Sequence, residues 1–192
     1  TSHQITIINL TRHKATKINK MNANYNLTMT SIASYKGKDL EFSFDPYNDC
    51  TDMDGLKDMA QLEIESSDTF EVEAEGTETD NITVKITDFD NVPDKWANEN
   101  DVWDFAAAFA ECEQEIEVVE AALECGVNPS DIDEAYSGSY DDNEDFAQEM
   151  AESLGAIDKN ASWPMNCIDW EYAAKELMYD YCEYNGYYFR CL

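Results

Sequence analysis

The chain has 192 residues and a formal charge of −30, from 42 Asp and Glu against 12 Lys and Arg. That balance argues against a polyanionic partner, because nucleic acid and anionic membrane surfaces are repelled while basic protein surfaces are attracted. Hydrophobic residues make up 43% and aromatic residues 12%, enough to bury a core and too much for a disordered polyanion.

Residues 1–40 hold six bases (Arg12, Lys14, Lys17, Lys20, Lys36, Lys38) against one acid, Asp39, a local charge of +5, whereas residues 41–192 carry −35. The basic end reads as an exposed strand and loop that offsets neighbouring acids. Residues 4–10, QITIINL, have the β-branched content of a strand and not the apolar core and cleavage site of a signal peptide. Residues 26–34 and 39–44 continue that character. DPYNDCTDMDG, residues 45–55, predicts a turn-rich acidic loop, and a short helix is expected over 56–64. Phe70, Val72 and Ala74 alternate with Glu71, Glu73 and Glu75, and Ile82, Val84 and Ile86 alternate with polar residues. EGTETDN therefore joins a β-hairpin with one wet face. Pro93 marks a boundary.

From Trp96 to Asp158 there are 19 Asp and Glu and no Lys, Arg or His. Within this block, 101–125 predicts one long helix. Phe105, Phe109, Cys112, Ile116, Val119 and Leu123 recur at helical spacing as a core stripe. Asn100 or Asp101 is placed to cap its start and Gly126 to end it. Glu113, Glu117, Glu120 and Glu124 form a second stripe. Like charges at i,i+4 cost a few tenths of a kcal/mol each, and acid in the last turn opposes the helix dipole. The sequence gives up local stability here for some other end.

A short turn or helix begins at Ser130. A second helix over about 142–154 turns Phe146, Met150 and Leu154 inward and Glu144, Asp145, Glu149 and Glu152 outward, with Gly155 to stop it. Asp169 is expected to cap a third helix, WEYAAKELMYDYCEY, burying Ala173, Ala174, Leu177 and Tyr181. Asn185-Gly186 then turns the chain into a last strand, YYFRC, paired within a small C-terminal sheet. Strands at both ends around an acidic helical centre give an α+β fold. No run approaches the roughly 18 apolar residues of a membrane span.

Catalytic chemistry finds little support. His3 and His13 are the only histidines, so residues 14–192 contain none to activate a Ser or Cys nucleophile. Seven glycines leave little room for a phosphate loop. Asp52-x-Asp54-Gly55 matches part of a calcium loop, but Cys50 and Gln61 occupy its first and last ligand positions. The six cysteines (50, 112, 125, 167, 182, 191) show no CxxC or Cys/His cluster suited to zinc. Cys112 reads as a small hydrophobe. A reduced cytosolic protein with no metal, no cofactor and no catalytic residues is expected, and not an enzyme. Direct nucleic-acid binding is not expected either, since the acidic body repels a duplex and no aromatic-basic interleaving offers a stacking platform.

Such charge is suited to imitating nucleic acid. B-DNA carries one charge per about 1.7 Å of axis, and a net −30 corresponds to about fifteen base pairs on that rule. Carboxylates at i,i+4 on a helix lie about 6 Å apart, similar to successive phosphates on one strand. The candidate phosphate mimics are Asp101, Asp104, Glu111, Glu113, Glu115, Glu117, Glu120, Glu124, Asp131, Asp133, Glu134, Asp141, Asp142, Glu144, Asp145, Glu149 and Glu152. Other readings are a merely solubilising or halophilic surface, or a generic acidic module for basic proteins. Against the halophilic reading, acids there cover every surface, whereas this chain keeps a +5 segment.

The second half resembles the ArdA antirestriction proteins. Tyr136, Gly138 and Tyr140 match a Tyr-x-Gly-x-Tyr segment, followed by an acidic stretch into Asp145-Phe146-Ala147. Ile168-Asp169 then leads into Ala174-Lys175-Glu176-Leu177, with Lys175 where Arg is usual, and on to Gly186-Tyr187-Tyr188-Phe189. Residues 133–190 carry the match, 95–132 match in character, and 1–93 show no family pattern. The resemblance implies an elongated three-part α+β protein. Its parts are a small β-sheet and helix domain (1–93), an acidic helical domain (94–131) and a C-terminal α+β domain with a short sheet (132–192) through which it forms a homodimer. It also implies a phage, plasmid or transposon protein acting in the bacterial cytoplasm. There its acidic surface mimics bent B-form DNA and occupies the DNA site of the specificity–methyltransferase core of type I restriction–modification enzymes. The same physics suits another target, such as a CRISPR effector.

Overall fold

Residues 27–67, 81–157, 163 and 167–192 are described by a computed structural model. Strand 4–10 and the 70–75 half of the expected hairpin lie outside these residues. Among the described residues the fold is mixed α+β, with six α-helices and two three-stranded antiparallel sheets. The chain divides into two compact units, Thr1–Ile116 and Glu117–Leu192.

The first unit is organised by burial alternating along β1 (Thr28–Tyr35), which turns Met29, Ser31, Ala33 and Tyr35 to one side. β1 is the central strand, antiparallel to β2 (Lys38–Phe44) and β3 (Thr83–Asp90). Lys36 and Gly37 join β1 to β2 with positive φ at both positions, 50° and 75°. That two-residue turn follows the twist of the strands it connects. Helix α1 (Met53–Ser66) lays Leu56, Ala60 and Ile64 on the sheet at i,i+4 spacing. Ala33, Tyr35, Ala60, Ile64 and Ile82 form one core cluster. The alternation read from Ile82, Val84 and Ile86 holds, with Val84 only half-buried. A bulge interrupts β1–β3 pairing between Thr30 and Ser31. Fully buried Ser31 donates its Oγ–H to the Lys85 carbonyl at 2.9 Å, so no polar atom is stranded there.

The expected single helix over 101–125 is two helices, α2 (Val102–Glu111) and α3 (Ile116–Glu124), because Cys112 is extended at φ −117° and ψ 167°. The acid density favours the break, by a few tenths of a kcal/mol for each like-charge i,i+4 pair. Glu111, Glu113, Glu115 and Glu117 on one continuous helix would crowd like charges in the middle of its dipole. Starting α3 at Ile116 instead puts Glu115 and Glu117 beside a positive N-terminus. Neither Asn100 nor Asp101 caps α2 with its side chain. Asn98 instead orders the turn ahead of the helix, its Oδ1 accepting from the Asn100 and Asp101 N–H groups at 3.1 Å each. Phe105, Phe109 and Cys112 are buried as expected. Phe105 lies 5.9 Å from the Trp96 ring and 6.5 Å from Phe109.

In the second unit α3 buries Val118, Val119, Ala121 and Ala122, while Ile116 and Leu123 stay half-exposed; the break has rotated the predicted stripe. Gly126, at φ 75°, ends α3, and the Val127 N–H reaches the Ala122 carbonyl at 2.9 Å. A 3₁₀ turn (Pro129–Asp131) and α4 (Ile132–Ala135) lead into β4 (Tyr136–Ser139), followed by α5 (Asn143–Ser153). The helix expected to run through 184 ends early. α6 spans Trp170–Leu177, and Tyr181–Tyr184 is strand β5, hairpinned to β6 (Tyr187–Arg190) across Asn185-Gly186 at φ 51° and 82°. Of the residues expected inside, Ala174 is buried and Ala173 and Leu177 half-buried, Tyr181 has moved to the sheet, and Leu154 is 76% exposed. Sheet order is β4-β6-β5.

Phe146 of α5 is the centre of this unit. Its ring lies 4.4 Å from Tyr188, 5.0 Å from Tyr181 and 5.1 Å from Tyr140, linking helix, loop and sheet in one aromatic cluster. Among the described residues no helix is long and apolar enough to cross a membrane.

Candidate functional site

Each acidic helix is amphipathic, so burying one side fixes where its carboxylates go. On α2, Val102, Phe105, Ala106, Ala108 and Phe109 are buried, leaving Asp104 and Glu111, two turns apart, together on the exposed side with Asp101 just ahead. On α3 the buried Val118, Val119, Ala121 and Ala122 leave Glu117, Glu120 and Glu124 along one face at i+3 and i+4 spacing. On α5 buried Phe146 and Ala147 leave Asp145, Glu149 and Glu152 in the same relation. With Asp141, these three line an open groove of about 530 Å³ that also includes Ser139, Tyr140 and Gln148.

Of the seventeen candidate carboxylates, thirteen are exposed, and Glu120, Glu124, Asp131 and Glu152 are half-buried; none is buried. The predicted stripe Glu113–Glu117–Glu120–Glu124 is not continuous, since Glu113 lies in the 112–115 break with Glu115 and only the last three share a helix. Asp133 and Glu134 sit exposed on α4. Glu144 and Asp145 occupy the first turn of α5, where the helix dipole favours acid; Glu149 and Glu152 fall in its second half, where it does not.

Some candidates have structural work, among them Asp101, whose carboxylate accepts from the Asn98 side-chain amide at 2.9 Å. Asp142 caps α5, its Oδ1 accepting from the Glu144 and Asp145 N–H groups at 2.9 Å each. Asp131 is held in the 3₁₀ turn by the Asn128 side-chain amide at 3.0 Å and the Ser130 hydroxyl at 3.1 Å. The rest of Asp52-x-Asp54-Gly55 is also structural. Asp52 accepts from the Gly55 N–H at 2.7 Å and starts α1 three residues before the predicted Leu56. Among the described residues no group of three or more His, Cys, Asp or Glu is arranged to hold a metal ion.

Several of the residues that carry the resemblance, Gly138, Tyr140, Phe146, Gly186 and Tyr188 among them, are packing residues. Gly138 has φ 116°, and a Cβ there would sit 3.0 Å from the Tyr140 ring, which folds over it. Gly186, at φ 82°, passes so close that a Cβ would lie 3.1 Å from the Tyr140 carbonyl. Tyr140 donates its N–H to the Gly186 carbonyl at 2.9 Å, and the Tyr188 hydroxyl bonds Asn143 Oδ1 at 2.8 Å. Tyr136 lies 5.6 Å from Phe189. The two motif segments, far apart in sequence, thus meet at one sheet and form the platform that carries α5 and its acids.

Sequence reasoning missed a further convergence. Cys125, Cys182 and Cys191 line one pocket of about 250 Å³. They come from a helix end, a strand and the C-terminus, and no local spacing signals their meeting. No protein-family model matches the chain, and no curated protein and no solved structure matches it.

Proposed function

We infer that this chain is a DNA-mimic antirestriction protein. It inhibits type I restriction–modification enzymes by presenting a carboxylate array to the DNA-binding site of their specificity–methyltransferase core. One observation carries the reading: three helices bury one face and hold acids at i,i+3 and i,i+4 on the other, inside a block with no Lys, Arg or His. Carboxylates fixed at about 6 Å intervals offer a basic groove what a phosphate strand offers. Association gains from electrostatic steering. Affinity falls steeply with added salt, as it does for the DNA being imitated. The protein acts by occupancy and not turnover, in the cytoplasm of a bacterial host, as a homodimer joined through its C-terminal unit.

The aromatic platform beneath α5 supports the family reading, because the ArdA-like residues Gly138, Tyr140, Phe146 and Tyr188 are those that fix α5 in place. The deciding experiment is competition: the pure protein against duplex DNA for a type I methyltransferase core, at several salt concentrations. Displacement of DNA with a steep salt slope is the expected result. Binding to basic proteins without displacing DNA would point to a generic acidic module. Displacement from another DNA-binding defence complex alone, such as a CRISPR effector, would keep the mimicry and change the target.

A further inference from the structure

The register of the C-terminal hairpin places two thiols together. Cys182 on β5 lies directly opposite Phe189 on β6. The ladder continues one step past Arg190, where the Cys191 N–H donates to the Asp180 carbonyl at 2.9 Å. Strand alternation then puts Cys182, Phe189 and Cys191 on the same face. Cys125, one residue beyond α3, lines the same pocket as Cys182 and Cys191. The three thiols share a pocket with Asp131 and Arg190, and all three are free. Cys125 and Cys182 are half-buried and Cys191 exposed, so small reagents have access. The three are not arranged to hold a metal ion.

We propose that this pocket is a thiol-exchange site at which a low-molecular-weight disulfide oxidises Cys125 and Cys182 to an intramolecular disulfide. Cys182 gives its proton to solvent and its sulfur attacks one sulfur of the small disulfide; the mixed disulfide on Cys182 forms, the small S–S bond breaks and the first small thiolate leaves. Cys125 gives its proton to solvent and attacks the Cys182 sulfur. The Cys125–Cys182 bond forms, the mixed disulfide breaks and the second small thiolate leaves. Each small thiolate takes up a proton, so two protein thiols are oxidised and one small disulfide is reduced to two thiols. Burial, then the neighbouring Cys182 thiol, pushes the Cys125 thiol up. The resolving step is therefore slow at neutral pH and accelerates as pH rises. A body of charge −30 selects a cationic over an anionic disulfide. The bond ties α3, with Glu117, Glu120 and Glu124, to the C-terminal sheet, and it stands independently of what those acids bind.

The test treats the reduced 192-residue chain with cystamine, a dication, or with oxidised glutathione, an anion. Remaining thiols are then alkylated and the peptides mapped by mass spectrometry. The expected first product is a Cys125–Cys182 cross-link, formed at least several-fold faster with cystamine. Its rate should climb with pH, and it should raise the melting temperature until reductant is added. Cys125→Ser should trap the mixed disulfide on Cys182. Adducts confined to Cys167 or Cys191, with Cys125 and Cys182 both alkylated, would overturn the proposal, as would a Cys182–Cys191 bond. The wild-type map decides even if the variant does not fold.

Discussion

Two acidic regions of this molecule use the same side chains in opposite ways. In the loop Asp45–Asp52 the carboxylates are consumed by the backbone. Asp45 accepts from the Tyr47 and Asn48 N–H groups at 2.9 Å each and from the Asn48 side chain at 2.7 Å. Asp49 accepts from the Asp45 N–H at 2.8 Å, and Asp52 caps α1. On α2, α3 and α5 the backbone is satisfied along the helix, so the carboxylates on the exposed faces are not needed to complete it. Acid density in a sequence thus says nothing by itself about function. The backbone beneath it decides whether a carboxylate is part of the fold or presented to a partner.

That contrast predicts opposite phenotypes. The largest expected effect is on binding. Converting Asp101, Asp104, Glu111, Glu117, Glu144 and Asp145 together to their amides should weaken competition with DNA about 100-fold, or about 2.7 kcal/mol, with little net change in melting temperature because relieved like-charge repulsion offsets the lost first-turn dipole contacts. Single changes should each cost only a few-fold. One Glu→Gln change abolishing inhibition while its neighbours did nothing would break the distributed array. Asp45→Ala should do the reverse, costing about 1–3 kcal/mol of stability by stranding two N–H groups and leaving competition intact, as read by denaturant unfolding. Asp142 stands between the two classes. Asp142→Ala should cost about 1 kcal/mol, whereas Asp142→Asn keeps the cap and loses only the charge. Equal destabilisation by both would mean the charge matters more than the cap bonds.

Smaller effects concern titration. Burial, with Asp49, Asp52 and Asp45 around it, pushes the Cys50 thiol up to about 12. Cys50 should stay unlabelled by thiol reagents at pH 8 while exposed Cys167 labels. Burial, then Glu183, Asp142 and Asp145, raises the Tyr188 phenol above 10. A folded value above the unfolded one gives stability that is complete below about pH 10 and lost as pH rises through the folded value. Tyr188→Phe should flatten the alkaline limb of a melting-temperature profile.

The elements most legible in the sequence were those with their own punctuation. Asn185-Gly186, Gly126 and the alternation at Ile82–Ile86 each carry a local signal, and each did what that signal says. The break at Cys112–Glu115 was hidden because Phe105, Phe109, Cys112, Ile116, Val119 and Leu123 keep helical spacing straight through it. A cue lay in the acids, whose i,i+4 pairs Glu111–Glu115 and Glu113–Glu117 each cost one continuous helix a few tenths of a kcal/mol. Tyr181–Tyr184 looked helical by continuation from Trp170, yet pairing with β6 overrode that periodicity. Among the site residues, exposure was readable and employment was not. Nothing in the composition separates Asp142, which caps, from Asp141 beside it, which lines the groove.

Phe146 is seated against Tyr140, Tyr181 and Tyr188 at once, which has a consequence for how the acidic face comes apart. Amide exchange should report one cooperative opening that includes α5 and β6 together, with α5 protected far beyond what an isolated 11-residue helix sustains. The groove acids on α5 are then disassembled all at once or not at all, so partial fraying does not blur the spacing of the charges.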